Sequence, residues 1–153
     1  MRETNYLSVV LQPFVADWGT EITVVPVIDQ LLLTRRVAVF EQNEHMQPAG
    51  AYAGICSNDF DFGPLDEYLM WNLNDSTPKE RYLLGCNCSI AGCWPFVGTI
   101  SKKDDFVIWD HFRQPFRKEW DYSSFGPFIF EAEPYMKAVE AIRTLIRQLD
   151  KNK

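Results

Sequence analysis

Short runs of alternating apolar and polar positions recur along the chain and predict more strand than helix. Residues 6–15 alternate in this way. Pro13, which has no amide hydrogen to give to a ladder, sets the end of that strand near a sheet edge. Residues 17–20, Asp-Trp-Gly-Thr, carry a turn signal, and residues 21–28 are rich in β-branched side chains. Pro26 implies an edge or a bulge there. Residues 82–84 open a further strand. Residues 96–101 and 106–111 alternate on either side of Lys102-Lys103-Asp104-Asp105, the clearest hairpin in the chain. Residues 125–130 give one more short strand.

Two stretches follow the helical period instead. Residues 31–42 place apolar side chains at 32, 33, 37 and 40, a loose helical stripe, with Asp29 positioned as a cap. The β-prone run at 37–40 leaves strand as the alternative. Near the C-terminus, Tyr135, Val139, Ile142, Ile146 and Leu149 form one apolar stripe. Glu133 and Pro134 suit its first turn, and Lys151 and Lys153 suit the negative end of its dipole. Residues 44–74 are irregular, with a helical turn expected at 65–70. Their aromatics, Tyr52, Phe60, Phe62, Tyr68 and Trp71, argue for a loop packed on the body. No repeat or linker divides the chain. The expectation is one α+β domain over residues 1–153: a mostly antiparallel β-sheet with a C-terminal α-helix and a shorter helix packed on it.

Composition narrows the function classes. Apolar residues make up 46% of the chain, enough for a real core and too many for a disordered one. No apolar run is long enough for a transmembrane helix. Met1-Arg2-Glu3-Thr4-Asn5 leads straight into the first strand without the apolar stretch of a signal peptide, so a cytoplasmic location with reduced cysteines is expected. Fifteen basic against 21 acidic residues give a net charge of −6, with no basic cluster. Nucleic acid and membrane are therefore poor partners, whereas a protein partner suits an acidic, aromatic surface.

Three of the four cysteines fall within Gly85-Cys86-Asn87-Cys88-Ser89-Ile90-Ala91-Gly92-Cys93-Trp94-Pro95. One reading is zinc, with Cys86, Cys88 and Cys93 as ligands and His111 or Cys56 completing the set. The spacing departs from the usual C-x2-4-C. On an extended strand, C-x-C sulfurs share a face about 7 Å apart, so the backbone would have to curl. A second reading is redox: Cys88 and Cys93 span a turn that a disulfide can close, whereas Cys86–Cys88 would be strained. A third is a nucleophilic thiol served by His111. Against all three stands a structural role, with small apolar thiols packed inside at a tight turn and no cofactor. That role carries the most weight on sequence alone.

Residues 109–117 add Trp109, His111, Arg113 and Arg117, which together with Trp94 form a candidate ligand-binding set in which the arginines could clamp a carboxylate or phosphate. Surface ion pairing of the arginines is the simpler account. Asp110 and His111 are adjacent, and neighbours on a regular strand point to opposite faces, which argues against an acid–base couple. Asp59, Asp61, Asp66 and Glu67 lack calcium-loop spacing. No phosphate-binding glycine motif, nucleophile elbow or metalloprotease helix occurs.

Leu83-Leu84-Gly85-Cys86-Asn87-Cys88 followed by Gly92-Cys93-Trp94-Pro95 resembles a pattern, L-L-G-C-x-C-G-x-x-G-C-W-P-L, found in a family of small bacterial proteins of uncharacterised function. The resemblance continues through a hairpin and an F-x-Q-P-H-R segment, matched here by Phe112, Gln114, Pro115 and Arg117. It ends with D-Y-S-x-x-G-P-F, matched by Asp121-Tyr122-Ser123 and Gly126-Pro127-Phe128, and a C-terminal helix. It covers the second half of the chain and implies a shared fold but no activity. Ser89 replaces a glycine of the pattern and Phe116 a histidine, so a metal site that used that histidine would be incomplete here. The preferred functional expectation is a non-catalytic binding or accessory module, of the immunity type for example. The alternative is a metal- or thiol-dependent site at Cys86, Cys88, Cys93 and His111.

Overall fold

A computed structural model of the chain describes residues 3–16, 19–56, 69, 77–88 and 93–151. The fold is α+β: mostly antiparallel strands in two sheets, one internal helix and a C-terminal helix. The helical turn expected at 65–70 lies outside the described residues, apart from Leu69.

The first sheet is built on a long hairpin. β1 (Leu7–Ala16) pairs with β2 (Gly19–Ile28) from Leu7 opposite Ile28 to Ala16 opposite Gly19. β2 is interior, not the edge that Pro26 implied. Its other side is covered by two short strands, β3 (Leu31–Leu32) against Val27 and Ile28, and β5 (Ile55–Cys56) against Thr23 and Val24. Pro26 falls in the gap between them, where no ladder donor is required of it. Residues 23–28 are buried without a break, as expected of a strand covered on both faces.

The second sheet runs β4-β6-β7-β8-β9, all antiparallel: β4 (Tyr52–Ala53), β6 (Lys79–Cys86), β7 (Phe96–Lys103), β8 (Phe106–Arg113) and β9 (Phe128–Glu131). The predicted hairpin is β7–β8, with Asp104 in the left-handed region at the turn. β4 and β5 are consecutive, yet they pair with different sheets. Gly54 alone joins them, at a point where an added Cβ would lie 2.5 Å from the Val24 carbonyl oxygen. The chain crosses between sheets there only because it carries no side chain.

α1 (Leu33–Asn43) buries Leu33, Val37 and Glu41, one side chain per turn on one face. Its N-terminus has no side-chain cap. Asp29 instead takes a left-handed backbone conformation and accepts hydrogen bonds from the Tyr6 amide at 2.8 Å and Asn5 Nδ2 at 2.6 Å, so it pins the start of β1. α2 (Ala132–Lys151) buries Tyr135, Val139 and Ile142 as its stripe predicts; the side chains of Ile146 and Leu149 lie outside the described residues. No helix among the described residues is long and apolar enough to cross a membrane.

The core is unusually aromatic. Phe96 stacks on Phe112 at 5.6 Å and meets Tyr52, Tyr122 and Phe125 edge-on. A second group joins Trp109, Phe130 and Tyr135 between β8, β9 and α2. Edge-to-face rings of this kind add about 0.5–1.5 kcal/mol per pair beyond their buried area.

Candidate metal centre

β6 carries Leu83, Leu84, Gly85 and Cys86 into the core, and Cys86 sits opposite Tyr52 of β4 at the strand's end. Regular pairing stops there. The Asn87 amide donates to the Ala51 carbonyl at 3.2 Å, and residues 87–88 turn away from the strand. This turn is the curl that a C-x-C pair needs. The Cys88 amide points back and donates to Cys86 Sγ at 3.4 Å. Cys93 stands just before Trp94 and the start of β7.

The sulfurs of Cys86, Cys88 and Cys93 all lie within 4.8 Å of one another, and none of the three is in a disulfide. Cys86 is buried, whereas Cys88 and Cys93 are exposed. Burial, which the structural role expects of all three thiols, is met at Cys86 alone. β6 ends at that residue, and Cys88 and Cys93 lie beyond it, exposed. Burial pushes the Cys86 thiol up to about 12; the Cys88 amide opposes this, and the neighbouring Cys88 and Cys93 thiols add to it. An apolar setting disfavours the lone thiolate, and a cation beside it reverses that preference.

Three sulfurs on a tetrahedral zinc lie about 3.8 Å apart, given a Zn–S bond of about 2.3 Å. The observed cluster is within about 1 Å of that spacing, a distance that cysteine side-chain rotation covers. Among the described residues, the cluster of convergent donors consists of these three sulfurs. Cys56 belongs to β5 in the other sheet, and its side chain lies outside the described residues.

His111 is not in the cluster. It is exposed, and its Nδ1 lies 2.8 Å from Asp110 Oδ1. The two side chains meet, contrary to strand alternation, because β8 bulges. Val97 and Thr99 of β7 pair with Arg113 and Asp110 of β8, so three steps on β8 match two on β7, and His111 takes a left-handed conformation with φ of 52°.

The remaining candidates separate. Trp109 is wholly buried and donates from Nε1 to the Tyr135 hydroxyl at 3.2 Å, so it faces the core rather than a ligand. Arg113 forms a two-pronged pair with Glu80 of β6, which holds the Glu80 carboxyl below its ordinary range. Arg117 lies over the Trp94 ring at 4.9 Å. Phe116 stacks on Trp94 at 6.2 Å, and Trp120 meets it edge-on at 5.9 Å. With Phe116 54% exposed, this makes a half-open platform beside Cys93. Trp94 Nε1 is buried with no hydrogen-bond acceptor among the described residues.

Sequence reasoning missed the groups that hold the turn in place. Glu41 is fully buried. Its Oε1 accepts from the Gly50 amide at 2.8 Å, and its Oε2 accepts from the Tyr52 hydroxyl at 2.9 Å and from the Tyr122 hydroxyl. Gln114 Nε2 donates to the Tyr52 oxygen at 3.0 Å and to the Pro95 carbonyl at 2.9 Å, while its Oε1 accepts from the Phe116 amide. Burial, reinforced by Glu41, raises the pKa of both tyrosines, so their hydroxyls stay protonated as donors. The network grips Pro95 at one end of the cysteine turn, and the Ala51–Asn87 bond grips the other. The one sequence signal was Glu41 itself, a carboxyl in register with Leu33 and Val37 on a core-facing stripe.

Comparison of the chain with family models, with curated proteins and with solved structures finds no match in any of the three.

Proposed function

We propose that this chain is a small binding domain whose cysteine turn holds a zinc ion through the thiolates of Cys86, Cys88 and Cys93. The observation that carries the reading is the convergence of the three sulfurs within 4.8 Å. A regular C-x-C strand would leave the first two about 7 Å apart. Thiolate donors select soft or borderline metals over calcium or magnesium, and zinc accepts tetrahedral sulfur sets. The Cys88 amide aimed at Cys86 Sγ is the kind of outer contact that steadies a metal-bound thiolate.

The ion acts as a clip. It joins the end of β6 to the turn that leads into Trp94, and so fixes the platform of Trp94, Phe116 and Arg117. That platform, on a chain of net charge −6, is the surface offered to a protein partner. The reading is non-catalytic: neither His45 nor His111 joins the sulfur cluster to serve a thiol as a catalytic base.

Cobalt substitution tests the site. Cobalt(II) added to the reduced 153-residue chain is expected to give a thiolate-to-metal absorption that saturates at about one equivalent and disappears when zinc is added. Cys86→Ser, Cys88→Ser and Cys93→Ser should each weaken it. A wild-type spectrum indistinguishable from that of the triple serine variant would refute the reading.

A further inference from the structure

The three cysteines differ in access, and that difference decides what oxidation does to the turn. Cys88 and Cys93 are exposed, Cys86 is buried at the end of β6, and all three sulfurs lie within 4.8 Å of one another. Cys86 and Cys88 are two residues apart, and a bond between them would strain the short ring it closes. Cys88 and Cys93 are five residues apart in the sequence, and their sulfurs already approach one another. From this geometry we infer that the turn is a peroxide-sensitive switch: hydrogen peroxide converts Cys88 and Cys93 to a disulfide and expels the metal. The inference rests on the zinc reading above.

The chemistry balances without a further co-reactant. One exposed thiolate attacks peroxide; its sulfur takes a hydroxyl group, the O–O bond breaks and hydroxide leaves. The second thiolate then displaces hydroxide from that sulfenic acid to form the S–S bond. Two protons from solvent convert the two hydroxides to water. The sulfurs together lose two electrons, and the two peroxide oxygens gain them. Cys86 is left as the sole thiolate of the set, and one thiolate does not hold zinc against solvent. A dithiol reductant returns both sulfurs and restores the site.

The test uses the zinc-loaded 153-residue chain. Metal content is measured first, then peroxide is added in steps. Released zinc is followed with a chromogenic chelator, and the cysteines are mapped by peptide mass spectrometry. The expected result is release of about one equivalent of zinc in step with a single Cys88–Cys93 disulfide, both reversed by dithiothreitol. Cys86→Ser should still form that disulfide in the metal-free state, and Cys88→Ser should oxidise at Cys93 to sulfinic or sulfonic acid. Zinc retained after peroxide, a disulfide that includes Cys86, or direct over-oxidation of the wild type would overturn the switch while leaving the zinc site standing. A chain that holds no zinc before peroxide is added would overturn the zinc reading and the switch with it.

Discussion

At the scale of single residues, Glu41 shows how a polar group survives in an aromatic core. It is fully buried, and three donors from separate parts of the chain satisfy it. Removing one donor leaves the buried carboxyl short of a hydrogen bond that water does not replace, which costs more than the bond itself. Tyr122→Phe is therefore expected to lower the unfolding free energy by about 1–3 kcal/mol, read by urea titration, with an unchanged m-value. A Tyr122→Phe variant as stable as wild type would show that the network adds nothing. In the sequence Glu41 stands four residues after Val37, a position that signals a core-facing carboxyl, but nothing there names its partners. Tyr122 lies 81 positions away, and Gln114 reaches Tyr52 across 62. No local pattern joins residues that only the fold brings together. The Asp110–His111 contact was hidden for a different reason. A bulge breaks the two-residue period, and nothing in the sequence of β8 marks where it falls.

Among the elements, the long strands were legible and the two-residue strands were not. β1, β7 and β8 carry alternation, β2 a run of β-branched residues, and α2 a full helical stripe. β3, β4 and β5 are too short to show any period, yet they decide the architecture, because β4 and β5 place adjacent residues in different sheets. Gly54 is the joint. Gly54→Ala would push a methyl group against the Val24 carbonyl, and a loss of about 1–3 kcal/mol is expected by denaturant unfolding, as for other overpacked sites. Full stability in that variant would mean the crossing has room to spare. The Glu80–Arg113 pair, which spans β7 from β6 to β8, sets a pH dependence. Glu80 titrates lower in the folded chain than its ordinary value, first because Arg113 hydrogen-bonds to it. Its stabilisation is thus fully present above the unfolded carboxyl pKa of about 4.3 and is lost as pH falls through the lower folded value. Both side chains are about half exposed, so the effect is about 0.2–1 kcal/mol. Glu80→Gln should be less stable than wild type by that amount at neutral pH, with the gap closing in acid. A gap that widens in acid would contradict the assignment.

For the whole molecule, the two sheets and the aromatic core already make a folded body, and the cysteine turn hangs from it at two fixed points, Asn87 and Pro95. Metal should accordingly tighten the fold rather than create it. At a free zinc concentration 100 times the dissociation constant, binding to the native state adds about 2.7 kcal/mol to the unfolding free energy. The α+β class was legible from periodicity. The convergence of the three sulfurs was not, because it depends on where β6 stops, and the spacing by itself argued for sulfurs held apart. The most direct test is the metal content of the untagged, reduced chain after zinc loading and a chelator wash, alongside its thermal midpoint with and without metal. The account predicts about one zinc per chain, a higher midpoint when loaded, and neither property in the triple Cys86→Ser, Cys88→Ser, Cys93→Ser variant. Zinc no higher than in that variant, with an unmoved midpoint, would contradict it.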